Sequence, residues 1–212
     1  MSRTRIRITT PPFDPTSIMP AYVSTVKHLV KSDYSGTINK GQAVYVTGST
    51  GLSGTNMLVD RASNNIEMTS SKTMGLLETS LTKNGIGYVI TEGLLAGLDT
   101  SAAGAAGDPV WLGTNGNLIY GLVNKPVAPA HLVFIGIVTR KQQNNGEIFV
   151  KVQNGFEVEE LHNVVLTGKA AGDTIVWNGG NWINRNINGA TGSFTSNGKT
   201  ITVTNGIITS IV

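Results

Sequence analysis

Apolar and polar residues alternate over short stretches of this chain, notably 22–30, 43–47, 87–91, 110–112, 132–139, 147–152, 174–177 and 200–204. Two-residue periods and β-branched runs of this length predict strands. The punctuation between them is strong. Asn84, Asn115, Asn145, Asn154, Asn178, Asn188, Asn197 and Asn205 are each followed by Gly. Asn-Gly fills the two positive-φ positions of a type I′ turn, whose twist suits a hairpin. No stretch longer than about ten residues keeps a helical period. The weak helical candidates are 63–72 and 94–106. Gly97 and Gly104 reduce the second to a turn or a single helical turn.

The pattern repeats. Gly41-Gln42-Ala43-Val44-Tyr45-Val46 resembles Gly107-Asp108-Pro109-Val110-Trp111-Leu112, and Met74-Gly75-Leu76-Leu77 resembles Ile135-Gly136-Ile137-Val138. Asn-Gly follows at the same offset in both copies. Each copy then ends in an alternating strand closed by Gly93 or Gly155. Residues 41–93 and 107–155 therefore read as two copies of one β-unit. A third start, Gly172-Asp173-Thr174-Ile175-Val176-Trp177, follows the second at nearly the same spacing. Two such units bury their apolar faces against each other and make a small antiparallel barrel or sandwich. The expected class is all-β. The expected organisation is an extended arm over 1–30, the duplicated body over 31–160 and a β-rich C-terminal region over 161–212.

The two ends differ from the body. Pro11, Pro12, Pro15 and Pro20 exclude a continuous helix or a central strand there. Arg3, Arg5, Arg7, Lys27, Lys31 and Lys40 face only Asp14 and Asp33 across residues 1–40, a balance of +4 within a net charge of +3. The arm thus carries the basic excess, and Arg3, Arg5 and Arg7 are its docking candidates. At the other end, 200–204 and 207–212 flank Asn205-Gly206 as a hairpin rich in Ile, Val and Thr. A lone hairpin of this kind is marginal in water and its edge invites pairing. Neighbouring subunits are expected to cover it.

Composition narrows the chemistry. Of 212 residues, 26 are Gly, 25 Thr and 19 Asn, while charged residues make up 14%. Without Cys there is no disulfide framework, thiolate metal site or cysteine nucleophile. No apolar run is long enough for a membrane-spanning helix, and Pro follows the basic N-terminal residues where a signal peptide needs an apolar core. His28, His131 and His162 lack metal-ligand spacing and read as surface or packing residues. Glu157, Glu159 and Glu160 form the acidic cluster. Glu157 and Glu159 are expected on one strand face, as a charged strand edge in preference to a catalytic pair. Gly198-Lys199-Thr200 imitates a phosphate loop, but Ser193 stands where Gly is needed and a strand follows. Trp177 and Trp182 flank an Asn-Gly turn as a cross-strand pair. They suit core or trimer packing, with a glycan platform as the sharper alternative. No cofactor, metal, nucleic-acid groove or enzymatic activity is expected.

As a set, several stretches resemble bacteriophage virion proteins of the tail-fibre type. They are residues 40–46, 87–98 (Gly87-Tyr88-Val89-Ile90-Thr91-Glu92-Gly93 onward), 106–113, 146–155, Glu159-Glu160-Leu161-His162-Asn163-Val164 and the terminal hairpin from Gly198. The likeness covers about 22–212. The Gly107-Asp108-Pro109-Val110-x-Leu112 piece is also similar to small β-domains of phage capsid decoration proteins. The resemblance implies a homotrimer on the virion surface, made in the host cytoplasm. Its partners would be tail, baseplate or capsid proteins through the arm, and a host glycan or protein through distal loops. The alternative it implies is a capsid decoration or head-fibre protein that stabilises the shell. The long repetitive shaft of such fibres is missing here. The family carries no catalytic residues to this sequence.

Overall fold

The computed structural model describes residues 25–51, 56–186, 189, 191–204 and 206–212. The chain divides into two units, 1–155 and 156–212. The first contains β1 (Val26–Ser32), β2 (Ala43–Ser49), β3 (Met57–Arg61), β4 (Thr73–Leu77), β5 (Ile86–Leu98), β6 (Pro109–Leu112), β7 (Leu118–Tyr120), β8 (Val133–Arg140) and β9 (Gly146–Asn154). A single helical turn, α1 (Glu67–Ser70), lies inside the 63–72 candidate.

The strands β1, β3, β2, β4 and β5 are neighbours in that order. Strand β1 also pairs with β5, which closes a five-stranded barrel. Each stave sends a buried side chain to one cluster: Val30, Val44, Val59, Leu77 and Val89. The β1–β3 pairing is parallel, where a wholly antiparallel body was expected. An odd ring of staves cannot alternate direction all the way round, so closure forces one parallel neighbour pair.

Strand β5 is thirteen residues long and serves twice. Its first half is a stave of the barrel. Its second half pairs with β9, and the sheet continues through β8, β6 and β7. The second half of β5 with β6–β9 repeats β1–β5. Val44 pairs with Gly75 in the first copy and Val110 with Gly136 in the second, each followed by a register irregularity. The Gly41 N–H donates to Leu77 C=O at 2.8 Å, and Gly107 N–H to Val138 C=O at 2.7 Å. The two glycines answer the same demand. A Cβ would stand 2.0 Å from the Ile90 carbonyl oxygen at Gly75 and 2.1 Å from that of Phe149 at Gly136.

The copies differ in closure. Among the described residues, the second half of β5 and β7 do not pair as β1 and β3 do. The Tyr120 hydroxyl spans that seam instead, donating to the Asp99 carbonyl at 3.2 Å. A second core joins the copies through Leu76, Ile90, Leu95, Val110, Ile135, Ile148 and others.

Some sequence boundaries move. Residues 26–30, assigned to the arm, belong to β1, because Val30 enters the barrel and β1 pairs on both edges. Residues 156–160, assigned to the body, fall in the second unit. Residues 94–98 are strand, and the turn begins only at Asp99. Of the Asn-Gly pairs, Asn115-Gly116 and Asn197-Gly198 have positive φ at both residues. Gly155 is required for another reason, since a Cβ there would lie 2.8 Å from the Leu132 carbonyl oxygen.

The second unit holds two three-stranded sheets. One orders β10 (Val164–Val165), β12 (Trp182–Asn186) and β11 (Asp173–Trp177) as β10-β12-β11. The other runs β13 (Gly192–Ser196), β14 (Lys199–Thr204) and β15 (Ile207–Ile211). None of the described residues of this unit is buried.

Candidate functional site

The last sheet sorts its side chains by face. Phe194, Ile201 and Ile211 line up across its three strands, and Val203 pairs with Ile208 beside them. Directly paired residues share a face. The intervening rows are Ser193, Thr202 and Ser210, and Thr195 with Thr200. One side of the sheet is therefore apolar over these rows, while the other carries the hydroxyls together with Ile207, paired with Thr204, and Val212, bonded to Thr200. Phe194, Ile208 and Ile211 are each more than half exposed. The register irregularity between Thr202 and Val203 keeps Ile208 aligned with Val203.

In the neighbouring three-stranded sheet, Trp177 and Trp182 face each other directly, with ring centroids 5.7 Å apart and planes tilted by 59°. They remain 51% and 42% exposed. The turn between them is fixed by Asn178, whose side-chain oxygen accepts the Gly180 and Asn181 N–H groups at 2.9 and 2.8 Å. Asp173 closes the far end of the hairpin. It accepts from the Asn184 amide at 2.8 Å and the Ala170 N–H at 3.0 Å, and these bonds hold its carboxyl below the usual range.

The acidic cluster departs from expectation. Glu157 and Glu159 are not on a strand. Glu159 lies in a 3-10 turn, Val158–Glu160, and Glu157 is its N-cap. The Glu160 side chain accepts the Glu157 N–H, and the Glu157 side chain accepts the Glu160 N–H. This capping box satisfies N–H groups that a strand pairing would otherwise have taken. Glu159 is ion-paired with Lys169.

His131 Nδ1 lies 2.9 Å from a Glu67 carboxylate oxygen, tying the 121–132 segment to α1. Glu67 is 64 positions away in sequence, so no local motif announces this contact. His28 and His162 are exposed. Lys199 begins β14, as its apolar-alternating sequel implied. Arg3, Arg5 and Arg7 lie outside the described residues. Among the described residues there is no cluster of metal-ligating side chains, and no helix is long and apolar enough to cross a membrane.

A second constellation, which no spacing in the sequence announces, lies at the open seam of the second copy. Lys40, Gln42, Asp99, Asn117 and Tyr120 converge there around Leu98 and Leu118. No protein-family model matches this chain, and no curated protein matches it.

Proposed function

We propose that this chain is a subunit of a homotrimeric bacteriophage surface fibre or spike. The arm would dock it to the particle, and the C-terminal unit would form the shared, outward part of the trimer. One observation carries this reading. The last sheet of the second unit gathers Phe194, Ile201, Val203, Ile208 and Ile211 on one face, yet the unit has no buried residue of its own among those described. An open three-stranded sheet with one apolar face needs a covering layer. Identical copies supply it: three such sheets, apolar faces inward, make a closed prism with the Ser and Thr rows outside. The first unit needs no such help, because its strands enclose two cores.

The capsid decoration reading rests on Gly107-Asp108-Pro109-Val110-Trp111-Leu112, which forms β6 and its entry at the heart of the second copy. Particles distinguish the two. Deleting residues 1–20 should abolish incorporation while leaving the body folded, and normal incorporation overturns the docking role of the arm. Particles without the protein should lose adsorption to cells if it is a fibre. Loss of heat resistance with normal adsorption assigns it to the shell.

A further inference from the structure

The duplicated body is closed in one copy and open in the other, and the opening is a cavity. Where β1 pairs with β3 in the first copy, Ser32 stands opposite Val59. Along the duplicated strands Leu118 is the counterpart of Val59, and Leu98, which faces Gly146 as Val30 faces Gly87, is the counterpart of Val30. They do not pair, and they line a cavity of about 410 Å³ together with Lys40, Asp99, Asn117 and Tyr120. That volume falls in the range of small-molecule sites, about 300–1,000 Å³.

The wall groups have spare hydrogen-bonding capacity of both signs. The Lys40 ammonium has no carboxylate partner among the described residues. Asp99 uses one carboxylate oxygen for the Ser101 N–H and hydroxyl, at 2.9 and 2.6 Å, and the other makes no hydrogen bond to the described residues. Those Ser101 bonds keep its carboxyl below the ordinary range, so it is an acceptor at neutral pH. The Asn117 amide can both donate and accept. Gln42, by contrast, is spent on its own wall, accepting from Asn39 N–H at 2.8 Å and donating to Asn115 C=O at 3.1 Å.

We propose that this cavity is a saccharide-binding site that takes a neutral hexose-type unit. Sugar hydroxyls donate to Asp99 and accept from Lys40 and Asn117, while the carbon skeleton covers Leu98 and Leu118. The opposed charges of Lys40 and Asp99 leave little net field to select an ion, and both are open to solvent, where single ion pairs are weak. A neutral ligand with many donor and acceptor groups uses the whole wall. The inference stands on the cavity and does not depend on the virion reading.

The test is amide chemical-shift perturbation on the ¹⁵N-labelled full-length protein. The probes are D-glucose, D-galactose and N-acetylglucosamine, with free alanine as a zwitterion, each raised to about 50 mM, a range that captures weak sites. At least one sugar should give saturable shifts at Gly41, Leu98, Asp99, Asn117 and Tyr120, and alanine none. Asp99→Asn and Lys40→Met should each weaken binding about ten-fold, the scale of one charge-assisted hydrogen bond. The side-chain amide oxygen introduced by Asp99→Asn can still accept from Ser101, and unchanged spectral dispersion would show that both variants fold. No saturable shift with any of the sugars overturns the proposal. So does a response to alanine at these amides, or a sugar response confined to Trp177 and Trp182.

Discussion

At the residue scale, Gly75 and Gly136 bind the two copies to one design. Each lets a neighbouring carbonyl approach to a distance that no Cβ permits. Changing either to Ala should destabilise the body by about 2–3 kcal/mol, the scale of forced overpacking, read as a lower urea midpoint. Gly198 offers the contrast. It has φ +74° with open space around it, so Gly198→Ala should lose only about 1 kcal/mol of backbone preference. Equal losses at all three would contradict the steric account. Tyr120 supplies a pH signature. Burial first, and the nearby Asp99 charge second, push its phenol up to about 12 from an ordinary 10.0. The folded state then holds a proton that the unfolded state has released. Its stabilising share is complete below pH 10 and lost as pH rises toward 12. Tyr120→Phe should flatten that alkaline decline in denaturation profiles, and an unchanged profile would show that Tyr120 does not cause it. The paired glycines were visible in the sequence as a repeated pattern. Their cause was not, because the carbonyls that demand them belong to strands thirteen or more positions away.

At the element scale, β1 marks where the body begins. It supplies a stave, so removing residues 1–32 should leave a chain without cooperative unfolding, whereas removing 1–24 should preserve it. Circular dichroism during thermal melts distinguishes the two, and a cooperative melt after loss of β1 would refute its structural role. Strand positions were largely legible because alternation records which face is wet. The Trp177–Trp182 pair was legible too, since a short Asn-Gly turn fixes register. Other features were hidden. Glu157 and Glu159 have the spacing of a strand face, but reciprocal capping by Glu157 and Glu160 makes a 3-10 turn more favourable locally. The parallel β1–β3 pair follows from ring closure, which no single segment encodes. The cavity residues Lys40, Asp99, Asn117 and Tyr120 meet only because the second copy stays open. No spacing rule brings them together.

At the scale of the whole molecule, the two units solve the burial problem differently. The first encloses two apolar cores within one chain. The second spreads Phe194, Ile201, Ile208 and Ile211 over one side of a thin sheet, the side that the proposed trimer would cover. If the proposed trimer forms through this face, replacing Ile208 and Ile211 together by Glu should dissociate it while residues 25–155 keep their fold, because the lesion is confined to the last sheet. Retained assembly in that variant would place the contact elsewhere. The most direct measurement is molar mass in solution by light scattering, on the full chain and on residues 25–155 side by side. The account predicts three times the 22.3 kDa chain mass for the full protein and a single-chain mass for the truncated body. A well-folded full-length monomer would contradict it.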